Sequence, residues 1–170
     1  YVVIDLATPG GQEAFWKLVT ERNVEYLQFA PPCGTASAAR NIRRRAKGGK
    51  SVLDPKPLRS AEFPDGLKDL NDIDRCKVDA ANALYRFVAE ALVVCKERGI
   101  ACSVENPLNS LMWVTSFFKV AEEVLGQSLK KVAMQMCMHG GKRDKKSVLW
   151  CIGFQPEEMA LWCDGSHDHA

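Results

Sequence analysis

No apolar run in this 170-residue chain approaches the roughly 20 residues that a membrane span needs, and no signal-peptide pattern stands at its start. Those two absences make a soluble intracellular protein, nuclear or cytoplasmic, the expectation. Cys-x-x-Cys is also missing. The seven cysteines, at positions 33, 76, 95, 102, 137, 151 and 163, are odd in number and widely scattered. That pattern argues against a disulfide framework and a zinc ribbon, and fits a reducing compartment. No internal repeat is visible. The net charge of +2 is too small to identify a partner. The first residue is Tyr1 rather than Met, so the chain is expected to be a piece of something longer.

What is present suits one domain with a real core. Tyr1 to Leu6 reads as a short strand running into Asp5, and Gln12 to Arg22 as a helix with Phe15, Trp16, Leu18 and Val19 around one side. Val24 to Phe29 is the next strand, stopped by Pro31-Pro32. Residues 34–71 hold neither period for long, carry Gly48-Gly49, and read as a long mobile loop. Between Arg40 and Arg59 lie Arg40, Arg43, Arg44, Arg45, Lys47, Lys50, Lys56 and Arg59 against Asp54 alone, a strong local field for an anionic partner.

Asp74 to Arg98 is the strongest helix, with Val78, Ala81, Leu84, Tyr85, Val88, Leu92 and Cys95 at helical spacing and Gly99 as its stop. Ile100 to Val104 reads as a strand leading to Glu105. A helix from Ser110 to Leu125 and strands near Lys131 to Met136 and Val148 to Ile152 complete the pattern. The alternation of strand and helix predicts an α/β domain with a mostly parallel sheet and flanking helices. Residues 1–154 form that core, and 155–170 a tail of unassigned structure. Cys95, Cys102 and Cys151, in apolar segments, read as small core hydrophobes. Trp113, Phe117 and Phe118 read as one face of a core helix, and Trp150 and Trp162 as packing residues.

In open parallel sheets, chemistry collects at the carboxyl ends of strands. Asp5, Cys33 and Glu105 each stand at such an end. A thiol delivered by a stiff Pro-Pro pair is unusual placement for a core cysteine. A nucleophilic cysteine needs a cation, a helix terminus or a base to raise its thiolate fraction. A neighbouring carboxylate acts in the opposite sense. Glu105 is therefore expected to serve the substrate rather than the thiol.

Phe29-Ala30-Pro31-Pro32-Cys33, then Ser37, then Glu105-Asn106-Pro107, resembles the Pro-Cys and Glu-Asn motifs of DNA cytosine-5 methyltransferases. Ile4-Asp5-Leu6, about 28 residues before the cysteine, is similar to that family's Asp motif. Gly140-Gly141-Lys142-Arg143-Asp144-Lys145-Lys146, followed by Val148 to Gly153, is similar to its basic motif and the strand after it. The resemblance spans residues 2–154 and is closest to phage-like or mobile-element-like branches. Gly34, Ala36 and Pro107 depart from the family's usual residues, and lysines partly replace the arginines of its basic motif. The Gly-rich loop that the family places ahead of its Asp motif is not among these residues.

The resemblance implies a Rossmann-like methyltransferase sheet, here incomplete. It implies that Cys33 attacks C6 of a cytosine flipped out of DNA, that Glu105 engages N3 and the exocyclic amine, and that S-adenosylmethionine supplies the methyl group. Arg143 would orient the base and Asn106 brace the strand end. Asp5 and Pro32 would line the cofactor pocket. Ser37, Arg40, Arg43, Arg44, Arg45, Lys145 and Lys146 would meet DNA phosphates.

Two further readings stand beside this one. The chain would be a methyltransferase-like nucleic-acid-binding module that has lost turnover, or a Cys-dependent hydrolase in which His139 pairs with Cys33. Cys163-x-x-x-His167-x-His169 offers three zinc ligands, but a fourth is unassigned, and no metal site is expected.

Overall fold

The computed structural model describes residues 2–41, 44–45, 51–52 and 55–169. Helix α1 spans Pro9–Glu21. Its start is local chemistry: Thr8 Oγ1 accepts from Gly11 N at 3.1 Å, and Pro9 occupies the first turn, where its missing N–H costs nothing. A Cβ on Gly11 would lie 1.9 Å from the Asp5 carbonyl oxygen, so only glycine fits there. Residues 2–6 are not a strand, which corrects the sequence expectation. Asp5 is exposed, and its Oδ1 accepts from Ala7 N at 3.0 Å in a turn leading into α1.

Strand β1 (Tyr26–Phe29) leads into the Pro-Pro-Cys loop. Two short pieces, β2 (Arg44–Arg45) and β3 (Ser51–Val52), pair antiparallel. Helix α2 (Asp72–Arg98) begins where Asn71 Oδ1 accepts from Asp74 N at 2.9 Å. Asp72 and Asp74 sit in its first turn and Lys96 and Arg98 in its last, each favourable to the helix dipole. Gly99, at φ 68°, ends it in the left-handed conformation expected of a glycine stop.

Strand β4 (Ala101–Pro107) follows and includes Glu105 within its length. The single helix expected over Ser110 to Leu125 is broken. A 3-10 turn at Leu111–Val114 precedes α3 (Ser116–Leu125), with Thr115 extended between them. Thr115 Oγ1 donates to Met112 O at 2.7 Å, and Ser116 N donates to Asp65 Oδ1 at 3.0 Å. The cap of α3 therefore comes from a distant segment, which local pattern does not reveal. Strands β5 (Lys130–Gln135) and β6 (Lys146–Ile152) close the fold.

The main sheet has the order β1-β4-β6-β5. β1 pairs parallel with β4, whereas β6 is antiparallel to both β4 and β5. The sheet is thus open and mixed, a correction to the mostly parallel expectation. The reason lies in the β5–β6 connection, which contains no crossover helix and so returns as a hairpin. Cys102, Val104, Trp150 and Ile152 face a core built with α2 and α3, and Phe15 and Trp16 of α1 pack against it. Trp113 stacks on Trp150 at 5.0 Å and Phe118 meets Trp150 edge-on, as their packing assignment requires. Trp162 is instead 47% exposed, contrary to its assignment. Val132, Met134, Leu149 and Cys151 form a smaller cluster on the opposite face, covered by Phe154 and Met159. Among the described residues, no helix is long and apolar enough to cross a membrane.

Candidate active site

The parallel β1/β4 pairing, with Phe29 opposite Val104, carries both chains past the same sheet edge. Beyond it, Asn106 Nδ2 donates to Pro31 O at 2.8 Å, and Tyr85 Oη of α2 donates to Pro32 O at 2.6 Å. The Cys33 carbonyl accepts from Ala36 N at 2.9 Å and Ser37 N at 2.8 Å. Three successive carbonyls are thereby held, two by side chains and one by the loop's own turn. This leaves Cys33 half-buried at a defined position. Asn106, at 1% exposed, holds the loop through Pro31 O.

Glu105 precedes Asn106 on β4, with its side chain 14% exposed. Lys145 Nζ approaches Glu105 Oε1 at 3.0 Å as a charge pair. Among the described residues that buried oxygen makes no directed hydrogen bond, and neither does Asn106 Oδ1. Buried acceptors of this kind are costly unless a donor reaches them. Lys142, Arg143, Lys145 and Lys146 are all exposed on the connection that brings Lys145 to Glu105. The Arg143 carbonyl accepts from Lys145 N at 2.8 Å, and among the described residues the ion pair to Glu105 is made by Lys145, not by the Arg143 guanidinium.

The other assignments divide. Pro32 is exposed, with its carbonyl held by Tyr85. Ser37 Oγ accepts from Ala39 N at 3.2 Å and caps a short turn. Arg40 donates to Gly34 O and, at 2.7 Å, to Lys56 O, so its guanidinium is engaged in loop closure. Arg43 and the side chains of Arg44 and Arg45 lie outside the described residues. His139 Nε2 contacts Met159 O at 3.1 Å. His167 and His169 lie against Cys163, and among the described residues no hydrogen bond joins any of the three histidines to Cys33. The Cys-His hydrolase pairing is not formed.

Arg59 overturns a sequence expectation. Counted there with the cations facing an anionic partner, it is 1% exposed. Its guanidinium donates to Pro64 O and Asn82 Oδ1 at 2.8 Å each, and to Thr35 Oγ1 at 3.0 and 3.2 Å. It also lies 5.2 Å from the Tyr85 ring centroid. Burial lowers its pKa, while Tyr85, Asp65 and Asp79 oppose that shift. Burial likewise pushes the Tyr85 hydroxyl up, keeping it a donor to Pro32 O. Arg59, Thr35 and Tyr85 thus form a polar support behind the cysteine loop.

Cys95, Cys102 and Cys151 are fully buried, as expected of core residues. Burial pushes the Cys151 thiol up to about 11. The hydrogen bond to Cys95, together with burial, raises Cys102 further. Iodoacetamide near neutral pH is therefore expected to label Cys76 and Cys33 in the folded protein and to spare these three until denaturant is added. Peptide mass spectrometry reads the order. Labelling of Cys102 or Cys151 as fast as Cys76 would refute the core assignment.

One group was incompletely read from sequence. Cys137, in the turn Met136–His139 directly after β5, joins Cys163, His167 and His169, and their donor atoms all lie within 4.8 Å of one another. The unassigned fourth ligand is present, supplied from 26 residues upstream of Cys163. The expectation of no metal site rested on its absence and on the tail's reading as a solvated end. Comparison of the chain with protein-family models, with curated proteins and with solved structures finds no match.

Proposed function

We propose that this chain is a cytosine-5 methyltransferase-like domain acting on DNA, in which Cys33 attacks C6 of an extruded cytosine and Glu105 serves the base. The observation that carries the reading is the Asn106 Nδ2 to Pro31 O bond across the parallel β1/β4 pair, which ties the thiol loop to the carboxylate strand. The largely buried Glu105 carboxylate, paired with Lys145 at 3.0 Å, suits the exocyclic amine of a base edge that takes the lysine's place. The exposed cations of residues 142–146 suit the phosphates around an extruded nucleotide.

Cys33 loses its proton to solvent, and its sulfur forms a bond to C6. The C5–C6 electron pair shifts into the ring, and N3 takes a proton from Glu105, which has first taken one from solvent on release from Lys145. C5 is then nucleophilic and accepts a proton from water. Loss of the original C5 proton, cleavage of the S–C6 bond and return of the N3 proton to Glu105 regenerate cytosine.

S-adenosylmethionine is the methyl donor that the family resemblance implies. The described residues do not build its pocket: Asp5 is exposed outside the sheet with one oxygen turned to Ala7 N, and Pro32 offers no free carbonyl. No methyl-transfer step is derived for them.

Hydrogen exchange at cytosine C5 tests the reading without a methyl donor. The chain is incubated in heavy water with single-stranded and duplex DNA, and deuterium at C5 is followed. Exchange that disappears after iodoacetamide treatment is expected. Absence of exchange with salt-sensitive DNA binding intact would replace the enzyme by the binding module. Absence of both would remove the nucleic-acid reading altogether.

A further inference from the structure

We propose that Cys137, Cys163, His167 and His169 form a structural zinc site that fastens the carboxyl-terminal tail to the end of β5. It does not depend on the cytosine reading.

The geometry comes first. Cys163 Sγ lies 3.8 Å from His167 Nε2 and 3.5 Å from His169 Nε2. Zinc bonds of ordinary length at tetrahedral angles place a sulfur and a nitrogen ligand about 3.6 Å apart. Both distances match an edge of that tetrahedron. The His167 and His169 rings stand 5.0 Å apart and nearly perpendicular, so each presents Nε2 to the same sulfur without stacking.

The donor set comes second. Two thiolates and two neutral imidazoles cancel the charge of a divalent zinc ion and suit it better than an oxygen-seeking cation. Asp164 is turned away, with its Oδ1 accepting from Ser166 N at 2.9 Å. Gly165 N points to Cys163 Sγ at 3.4 Å, the kind of backbone donor that supports a ligating sulfur. Gly165, at φ 76°, makes the reversal that returns His167 and His169 to Cys163.

The anchoring comes third. Cys137 is buried in the turn after β5. Gln135, two residues earlier, accepts from Cys163 N through Oε1 at 2.8 Å, while its own N–H donates to Leu161 O at 2.9 Å. Two ligands are thus set by the fold before any metal arrives. Gln135 Nε2 also donates to Asp144 Oδ1 at 2.5 Å, next to Lys145 and its partner Glu105. A metal closing the tail onto β5 would stiffen the base of the loop that carries those cations.

The test uses the whole chain, kept reduced. Zinc content after dialysis is expected at about one ion per chain. Cobalt in its place should give the intense visible bands of a tetrahedral site with thiolate charge transfer. Cys137→Ser and His169→Ala should each weaken zinc binding by about 100-fold or more, at least the upper end of the loss seen for supporting groups around a metal. Cys76→Ser, on an exposed face of α2, should bind as the parent does. Circular dichroism checks that each variant is folded, and the exposed His169 guards against a folding artefact at buried Cys137. Zinc well below stoichiometry, a weak octahedral cobalt spectrum, or undiminished binding by Cys137→Ser would each overturn the proposal.

Discussion

Cys33→Ala is expected to abolish deuterium exchange at cytosine C5, a loss on the order of 10³-fold or more, the scale on which removal of a nucleophile acts. Stability should change little. The loop is held through the carbonyls of Pro31, Pro32 and Cys33, and none of those bonds uses the sulfur. DNA binding should persist with its salt dependence, since the exposed cations of residues 142–146 are untouched. Glu105→Gln should slow exchange by about 10² to 10⁴, the range of general acid–base catalysis, because an amide cannot hand its proton to N3. Exchange unchanged in Cys33→Ala would mean that the sulfur is not the attacking group. Exchange unchanged in Glu105→Gln would leave the attack standing and remove the carboxyl from the proton path.

Arg59→Leu is the second large effect, and it falls on stability. The substitution keeps an apolar side chain in place but removes every donor that serves Pro64 O, Asn82 Oδ1 and Thr35 Oγ1 in a site that is 1% exposed. Each buried acceptor left without a donor costs about 1–3 kcal/mol, against a total stability of about 5–15 kcal/mol. For a chain of this length that is a fall in Tm on the order of 10 °C. Arg59→Lys retains charge and stem but not the planar fork, and should recover only part of the loss. Denaturant unfolding measures both. A cost below about 1 kcal/mol for Arg59→Leu would show that the buried network does not carry the cysteine loop.

These two effects separate what a motif does from what holds it. Pro31-Pro32-Cys33 and Glu105-Asn106 are visible as short sequence signals, and the residues that brace them are only partly so. Asn106 follows Glu105 directly, and only the family resemblance marked it as a support for the strand end. Tyr85 was readable only as a core position on α2, and its hydroxyl reaches a carbonyl 53 residues away in the chain. Arg59 was misread outright, because a cation in a basic stretch carries no local mark of burial. Its site is made by Thr35, Pro64 and Asn82, which come from three different segments.

By itself, the sequence determined the features that rest on contacts within a few residues. The ends of α2 follow from Asn71, the first-turn aspartates and Gly99, and its buried stripe follows from the helical spacing of Val78, Tyr85, Val88, Leu92 and Cys95. The positions of β1, β4, β5 and β6 follow from short apolar runs. Tertiary structure alone decided which strands run together, where the helix before α3 breaks, and that Arg59 is a buried support. It also brought Cys137 to Cys163, His167 and His169. In each case the deciding contact joins segments far apart in the chain. A cap or a periodic stripe is specified by its neighbours, whereas a pairing, a buried cation or a ligand set exists only once distant segments have met.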